Sequence, residues 1–519
     1  MAVGQRDAIY QNIKGLHIPA ILRWCLISLG LIGLVWLALY NLPYNPRPWF
    51  DEGEHLRVPK TLVEYGKYAV WSAAGFRYFG PTIGVGPTVL LPIALVFQIF
   101  GVGLVQGRAV ILVYLGVVLA LYWLYSLKLW KSALFSTFAL AFLCAVPGIE
   151  LITLGRQVLG EVPALAFFLG GLLAWWRAGS KDTPQWGWIA AAGSLWALAA
   201  ITKSTYGLLL PPILVTLWLA NKFYYKVVGW DWRAFALPAV MVVGGLGGWY
   251  FIILLFLGGG NFSSNLELLR QASGGSAFVF SLNRMQSALK FVVGPEGLWG
   301  LAIPGLIYGI WLGRERTAGN LRLAMPLLFC LGWLGWFCFA SVAWPRYAFP
   351  AMVVSSMFAA KLIWDAPKLL LKALHRPEWR VGLQVIVGLL VAALLVFGYA
   401  TQVKETVKVD DGAQRLAAYL NQNVSKTALV ETWESEMGFL TEHSYHYPSA
   451  EMLDKAVRRY WLNNSIAPLA EIYKPESLKP DYLINGPFSS WNNLYPASLL
   501  AEHYKLVGTF GDYTLYQRV

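Results

Sequence analysis

Apolar runs broken by short polar turns fill the chain up to about residue 403. Most are close to the roughly 20 residues that a helix needs to cross a bilayer. They fall at about 18–41, 109–127, 133–152, 160–176, 186–202, 205–221, 235–257, 296–313, 323–342, 347–364 and 380–400. One further run, at about 87–102, is shorter and opens on Gly86-Pro87. The placement of positive charge decides what that short run does. Arg6, Lys14 and Arg23 hold the N-terminus in the cytoplasm under the positive-inside bias. Lys128/Lys131, Arg177/Lys181, Lys222/Lys226, the group Arg314, Arg316 and Arg322, and a basic stretch over 368–380 then mark five later cytoplasmic turns. These assignments agree with one another only if 87–102 does not cross. The pattern therefore predicts about eleven transmembrane helices, with a juxtamembrane or re-entrant helix in the first external loop. The first apolar run lacks a small-residue cleavage site and reads as a retained helix.

After about residue 403 the pattern changes. Acids outnumber bases, and apolar runs shrink to strand length at 428–432, 481–484, 506–508 and 513–516. Gly511-Asp512 reads as a hairpin turn, and an amphipathic helix over about 411–422 precedes the strands. The expected organisation is a transmembrane domain over 1–403 and a small α/β domain over 404–519 on the extracytoplasmic face. No internal repeat or low-complexity linker separates them.

Composition sharpens the class. The chain is 57% hydrophobic and 13% charged, too apolar for a soluble core, and its 25 Trp and 26 Tyr suit bilayer interfaces. The net charge of +13 lies between apolar runs, so it reads as cytoplasmic loops and no nucleic-acid partner is expected. Cys25, Cys144, Cys330 and Cys338 all fall within apolar runs, and no disulfide is expected.

With this topology the candidate chemistry gathers on the external face. Asp51, Glu52, Glu54 and His55 follow Trp49 and Phe50 at a membrane rim, where ionisable groups are costly and mark function. Two adjacent carboxylates can act as a general base with an orienting group, or as metal ligands. The plain alternative is an acid-rich start to a juxtamembrane helix over 54–69. Arg156 and Glu161 share the next external turn; their alternative is a rim salt bridge with each other. Glu150, inside or at the end of its span, is a weaker candidate. Arg108, Lys203 and Arg346, the last beside Tyr347, are cations on the same side that suit phosphate. For Lys203 the alternative is snorkelling to the interface. Arg270, Arg284 and Lys290 are lesser candidates in a loop over 258–294, and His443 and His446 read as a surface pair without metal spacing. No Walker loop, dinucleotide fingerprint or Gly-x-Ser-x-Gly elbow is present. The energy for external synthesis must then come from an activated substrate such as a lipid-linked phosphate ester.

The order of motifs resembles a known family. Phe50-Asp51-Glu52-Gly53-Glu54-His55 comes first, followed by Gly80-Pro81 and Gly86-Pro87 before the run ending Phe100-Gly101. Gly107-Arg108-Ala109, Pro147, the segment 156–161, Thr202-Lys203-Ser204 and Arg346-Tyr347-Ala348-Phe349-Pro350 follow. This set, spanning about 20–365, resembles the GT-C glycosyltransferases, and within them the protein O-mannosyltransferase and aminoarabinose (lipid A) transferase branch. The resemblance implies transfer of a sugar from a polyprenyl-phosphate donor to a protein, lipid or glycan acceptor outside the cytoplasm. It makes Asp51 the catalytic carboxylate, Glu161 the second external acid in place of the Asp often found there, and Arg108 the arginine opening the second span. The family's Lys-Pro-Pro is absent, since this chain has Gly84-Val85-Gly86-Pro87.

The functional expectation is an inverting displacement with Asp51 as base, Glu52 and Glu161 beside it. Arg346, Lys203 and Arg108 clamp phosphate, with Arg156, Tyr347 and His55 as further substrate contacts. No obligatory cofactor is expected, with a divalent metal left open by the adjacent acids. The setting is a multi-pass protein among the lipids of a bacterial inner membrane. The alternatives are a lipid-linked glycan flippase or other transporter, an O-antigen polymerase or ligase type of enzyme, and a non-catalytic assembly subunit.

Overall fold

The computed structural model describes residues 20–78, 84–179, 183–257, 278–374, 379–462 and 466–519. Its helical part begins with α1 (Ala20–Leu39) and α2 (Phe50–Tyr65), then a hairpin of β1 (Ala69–Ser72) and β2 (Gly75–Tyr78). The helices α3 (Pro87–Phe100), α4 (Leu104–Trp130), α5 (Ala133–Ala145), α6 (Glu161–Ala178), α7 (Trp186–Thr202) and α8 (Ser204–Ala220) follow. After them come α9 (Trp232–Ile252), α10 (Leu282–Val293), α11 (Ala302–Leu312), α12 (Ala318–Ala340), α13 (Pro345–Leu374) and α14 (Arg380–Thr406).

Six helices among the described residues are long and apolar enough to cross a membrane. A seventh span forms if α5 is joined to Pro147–Leu154 across a bend of 71°. The bend has a local cause: Pro147 cannot donate a backbone bond, and Glu150 takes a left-handed φ of 56°. The chain is an integral membrane protein. The spans are not equivalent. The apolar windows of α12 and α13 are 72% buried and that of α14 only 6%, so α12 and α13 form the centre and α14 the rim. Lipid tails remove the hydrophobic drive between helices, leaving close packing to hold the centre. Phe168 of α6 stacks on Phe329 of α12 with ring centres 3.9 Å apart, and Tyr206 of α8 meets Trp333 edge-on at 4.7 Å.

The short run at 87–102 becomes α3, 14 residues that follow an extended Gly86. Its first turn is tied to the junction between α7 and α8. The Gly86 N–H donates to the Thr202 carbonyl at 3.1 Å, and Thr88 and Thr202 hydroxyls lie 2.7 Å apart. Beyond the other end, Arg108 in the first turns of α4 bonds Glu52 of α2.

The segment expected as a helix over 54–69 starts four residues earlier, at Phe50, after an extended Trp49. It stops where Gly66 adopts φ 67° and its N–H caps the Leu62 carbonyl. Asp51 and Glu52 therefore lie inside its first turn. This polar helix is buried on nearly every side, with α3 of the bundle and the helix Ser435–Leu440 of the C-terminal part packed against it.

The C-terminal part contains α15 (Gly412–Asn423), β3 (Leu429–Thr432), α16 (Ser435–Leu440), β4 (Ser444–His446) and α17 (Ala450–Leu462). It ends with β5 (Tyr482–Asn485), α18 (Pro487–Trp491), β6 (Tyr504–Phe510) and β7 (Tyr513–Arg518). The strands form one sheet in the order β4-β3-β5-β7-β6, parallel from β4 to β5 and antiparallel beyond. Gly511 turns the β6–β7 hairpin with φ 60°. Strand β4 lies where a surface histidine pair was expected, and the structure corrects that reading. His443 is buried with Nε2 3.1 Å from the Val424 carbonyl, and His446 Nδ1 lies 2.6 Å from the buried Glu431 carboxylate.

Candidate active site

Successive residues of a helix point about 100° apart, so α2 sends its charged side chains in three directions. Glu52 faces the bundle. Arg108 grips it with both prongs, Nε to Oε1 at 2.9 Å and Nη2 to Oε2 at 2.6 Å, while Nη1 donates to the Leu42 carbonyl at 2.6 Å. The Val158 N–H adds a bond to Oε1 at 3.0 Å. Both side chains are fully buried. One turn on, His55 Nδ1 lies 2.7 Å from the Val158 carbonyl. A carbonyl only accepts, so Nδ1 carries the proton in that bond. Glu52 and His55 thus hold both polar backbone groups of Val158, fixing the turn that leads into Glu161.

Glu54 faces helix α16 of the C-terminal part and the β1–β2 hairpin. It accepts from Arg57 at 2.8 Å, Arg77 at 2.9 Å and the Ser435 hydroxyl at 2.6 Å. Burial pushes its pKa up, but the charges of Arg77 and Arg57 and the serine bond outweigh it and hold the carboxyl below its ordinary value. Lys60 reaches the carbonyls of Gly438, Phe439 and Thr441 at 3.3, 3.1 and 2.8 Å, capping the end of α16. Gly53 lies against the backbone of Glu436 so closely that a Cβ has no room.

Asp51 faces neither partner. It pairs with Arg346 at the start of α13, whose guanidinium lies 5.2 Å from the Trp49 and Trp344 rings and 5.7 Å from Tyr347. Nearby, Lys203 pairs with Glu161, the first residue of α6, and its ammonium lies 5.8 Å from the Tyr347 ring. Lys203 is reachable because it breaks the chain between α7 and α8 in an extended conformation, with φ −144°. Asp51, Arg346 and Lys203 keep 24%, 19% and 19% of their side chains exposed, against 2% for Glu161. A narrow cleft opens between these elements. Glu161, Lys203, Arg346 and Tyr347 line it, with Thr205 and Tyr206 of α8, Trp333 and Trp336 of α12, and Pro350. His55 senses the same charges: burial lowers its pKa, Asp51 and Glu161 oppose this, and Lys203 adds to it.

The two pairings differ from the plain alternatives raised for single residues. Glu161 meets Lys203, not Arg156, and Lys203 is engaged by a carboxylate rather than lying free at an interface. Arg156 is buried behind the cleft, donating to the Tyr40 carbonyl and to Asn45. Arg108 also lies behind it, closed by Glu52. Glu150 is exposed at the bend after α5, and Arg284 and Lys290 lie on α10. Arg270 and Gly80-Pro81 lie outside the described residues. Among the described residues no three His, Cys, Asp or Glu gather as metal ligands. Asp51 and Glu52 diverge onto different arginines instead of sharing a point.

Sequence reasoning missed Thr205, Tyr206, Trp333 and Trp336. Thr205-Tyr206 directly follows the singled-out Lys203-Ser204, and two tryptophans three apart share one face of a helix. Within apolar spans those signals look like packing.

No family model matches the chain, and no curated protein sequence matches it. Solved structures do. ArnT from Cupriavidus metallidurans bound to undecaprenyl phosphate is similar over 96% of this chain and 99% of its own, with TM-score 0.64 and 14% identity. The apo oligosaccharyltransferase of Archaeoglobus fulgidus is similar over 97% of this chain and 75% of its own, with TM-score 0.58 and 12% identity. A further structure of that archaeal enzyme, AglB with an inhibitory peptide and a dolichol-phosphate, has TM-score 0.57 and 12% identity over 96% of this chain and 74% of its own. The fold is the GT-C fold that the order of motifs suggests.

Proposed function

We propose that this protein moves a sugar from a polyprenyl-phosphate carrier to an acceptor hydroxyl at the extracytoplasmic face, in one inverting displacement with Asp51 as general base. The observation that carries the proposal is the pair of acid–cation contacts, Asp51–Arg346 and Glu161–Lys203, at one aromatic-walled cleft. Each cation is matched by a carboxylate, so a phosphodiester entering the cleft competes for Arg346 and Lys203 and frees Asp51 to act as a base. The acceptor oxygen then bonds to the anomeric carbon while the carbon–oxygen bond to phosphate breaks. Its electron pair stays on the phosphate, stabilised by Arg346 and Lys203, and the hydroxyl proton passes to Asp51. The carrier class is supported by the fold neighbours, one bound to undecaprenyl phosphate and one to a dolichol-phosphate.

In this reading Glu52, Arg108 and His55 position the catalytic helix and the 155–160 turn, and Arg156 braces that turn. No metal is needed at the chemical step, because phosphate is a good leaving group and the two adjacent acids point apart. We further propose eleven crossings, with α3 lying on the external side. The six long apolar helices, the bent α5 pair, α1, α6, α7 and the short α11 make up that number, and the bonds from Gly86 and Thr88 to Thr202, beside Lys203, support placing α3 on the external side. Residues 1–403 then form the transmembrane domain and 404–519 the external one, in a bacterial plasma membrane.

The test is discharge of radiolabelled sugar from an undecaprenyl-phosphate donor by the purified protein in lipid nanodiscs, with a cell-envelope extract supplying acceptor hydroxyls. Wild type is expected to generate free undecaprenyl phosphate, and Asp51→Asn to bind the donor without discharging it. Equal turnover by Asp51→Asn removes Asp51 as the base.

A further inference from the structure

Two buried polar atoms of the cleft have no hydrogen-bond partner: Glu161 Oε2 and the Tyr206 hydroxyl. Glu161 is 2% exposed and Tyr206 1%, and both line the same cleft. Neither can turn away to be satisfied elsewhere. Lys203 holds Glu161 through its other oxygen, Oε1. The Tyr206 ring is wedged edge-on against Trp333 at 4.7 Å and beside Phe329 at 6.2 Å. A buried polar group left unmatched is costly, and such sites strongly favour a ligand that supplies the missing bond.

We propose that Glu161 and Tyr206 form a sugar subsite that reads a neutral hydroxyl on the transferred sugar. The inference rests on the glycosyl-transfer reading and adds what the cleft recognises. The carboxylate oxygen needs a donor, and a phenol can both donate and accept. A sugar hydroxyl completes both at once, donating to Glu161 Oε2 and accepting from Tyr206. An ammonium on the sugar can donate to both groups but accepts from neither, so it leaves the Tyr206 proton unmatched. The hydrogen-bond match therefore favours a hydroxyl at this position, as in a neutral hexose or pentose, over the ammonium of an amino sugar. Trp333, Trp336 and Tyr347 supply the aromatic faces against which the C–H face of a sugar ring packs. The subsite adjoins Arg346 and Lys203, so a sugar one bond away from a phosphate held there falls within reach of both groups.

The test compares bare undecaprenyl phosphate with undecaprenyl phosphate carrying mannose, galactose, arabinose or a 4-amino-4-deoxypentose. Binding to the full chain in nanodiscs is measured for wild type and Tyr206→Phe, with Glu161→Gln as a second variant that keeps the side-chain shape. The expected result is tighter binding of one neutral glycosyl donor than of the amino sugar. That preference over the bare carrier should fall about 10- to 100-fold in Tyr206→Phe, with affinity for the bare carrier unchanged. Preference for the amino sugar overturns the inference, as does a Tyr206→Phe protein that binds every donor like wild type. If sugar release persists in that case, glycosyl transfer stands and only the subsite falls. A wild type that binds neither bare nor glycosylated carrier removes the transfer reading and the subsite together.

Discussion

Two ion pairs built from neighbouring acids, Glu52–Arg108 and Asp51–Arg346, differ in almost everything except their chemistry. The first is sealed: both side chains are fully buried, the two prongs of Arg108 lie on the two oxygens of Glu52, and Val158 and Leu42 take up the remaining capacity. The second is open: both side chains stay partly exposed beside a cleft, and the guanidinium faces aromatic rings. A saturated buried pair has no lone pair or proton left for substrate, and its desolvation makes it expensive to disturb. An open pair is cheap to separate and leaves a carboxylate free to take a proton. One residue of helical rotation separates a structural bolt from a reactive group.

Substitution should divide the two pairs cleanly. Asp51→Asn is expected to lose about 10²- to 10⁴-fold in turnover with thermal stability kept, since general-base help is of that size. Glu52→Gln should do the reverse, leaving the Arg108 charge buried and uncompensated at a cost of about 3–5 kcal/mol. Melting temperature and sugar release, measured on both variants, check this; loss of activity with full stability in Glu52→Gln would place Glu52 in the chemistry. Next in size, Gly53→Ala should cost about 1–3 kcal/mol, because the new methyl meets the Glu436 backbone, which cannot turn aside. Limited proteolysis of the C-terminal part should rise in that variant.

Lys203→Met removes one charge-assisted contact, worth about 1.5–3 kcal/mol, so undecaprenyl phosphate should bind roughly 10- to 100-fold more weakly. Arg108→Met should instead lower stability with carrier affinity kept in the protein that remains folded. The smallest effect belongs to His55. Burial holds its folded pKa below the ordinary 6.5, so the unfolded chain takes up a proton that the folded chain resists. This contribution to stability is complete above 6.5 and declines as pH falls from 6.5 towards the depressed folded value, then levels off. Melting curves from about pH 7.5 to 5 should show this slope in wild type and lack it in His55→Asn.

Much of this arrangement is legible in the sequence because charge is so scarce there. The acids at 51 and 52, Glu161, Lys203 and Arg346 stand out against apolar surroundings, and the positive loops lead to the expectation that the short run at 87–102 does not cross. What the sequence hides is partnership. Nothing local says that Glu52 meets Arg108, 56 positions away, or that Asp51 meets Arg346, 295 positions away. The start of α2 at Phe50 was hidden too, because Trp49 carries no capping side chain. Tyr206, Trp333 and Trp336 look like ordinary packing until the cleft between α8 and α12 is seen. Strand β4 escaped notice because Ser444-Tyr445-His446 is short and polar, and its pairing with β3 gives it order.

The division of labour between the two arginines is tested most directly by a structure of the protein with undecaprenyl phosphate bound in nanodiscs. The expected result is phosphate oxygens within hydrogen-bond distance of Arg346 and Lys203, Asp51 released towards the cleft, and Arg108 still clasping Glu52. Phosphate on Arg108 with Asp51 and Arg346 still paired would contradict the assignment of the open pair as the reacting site.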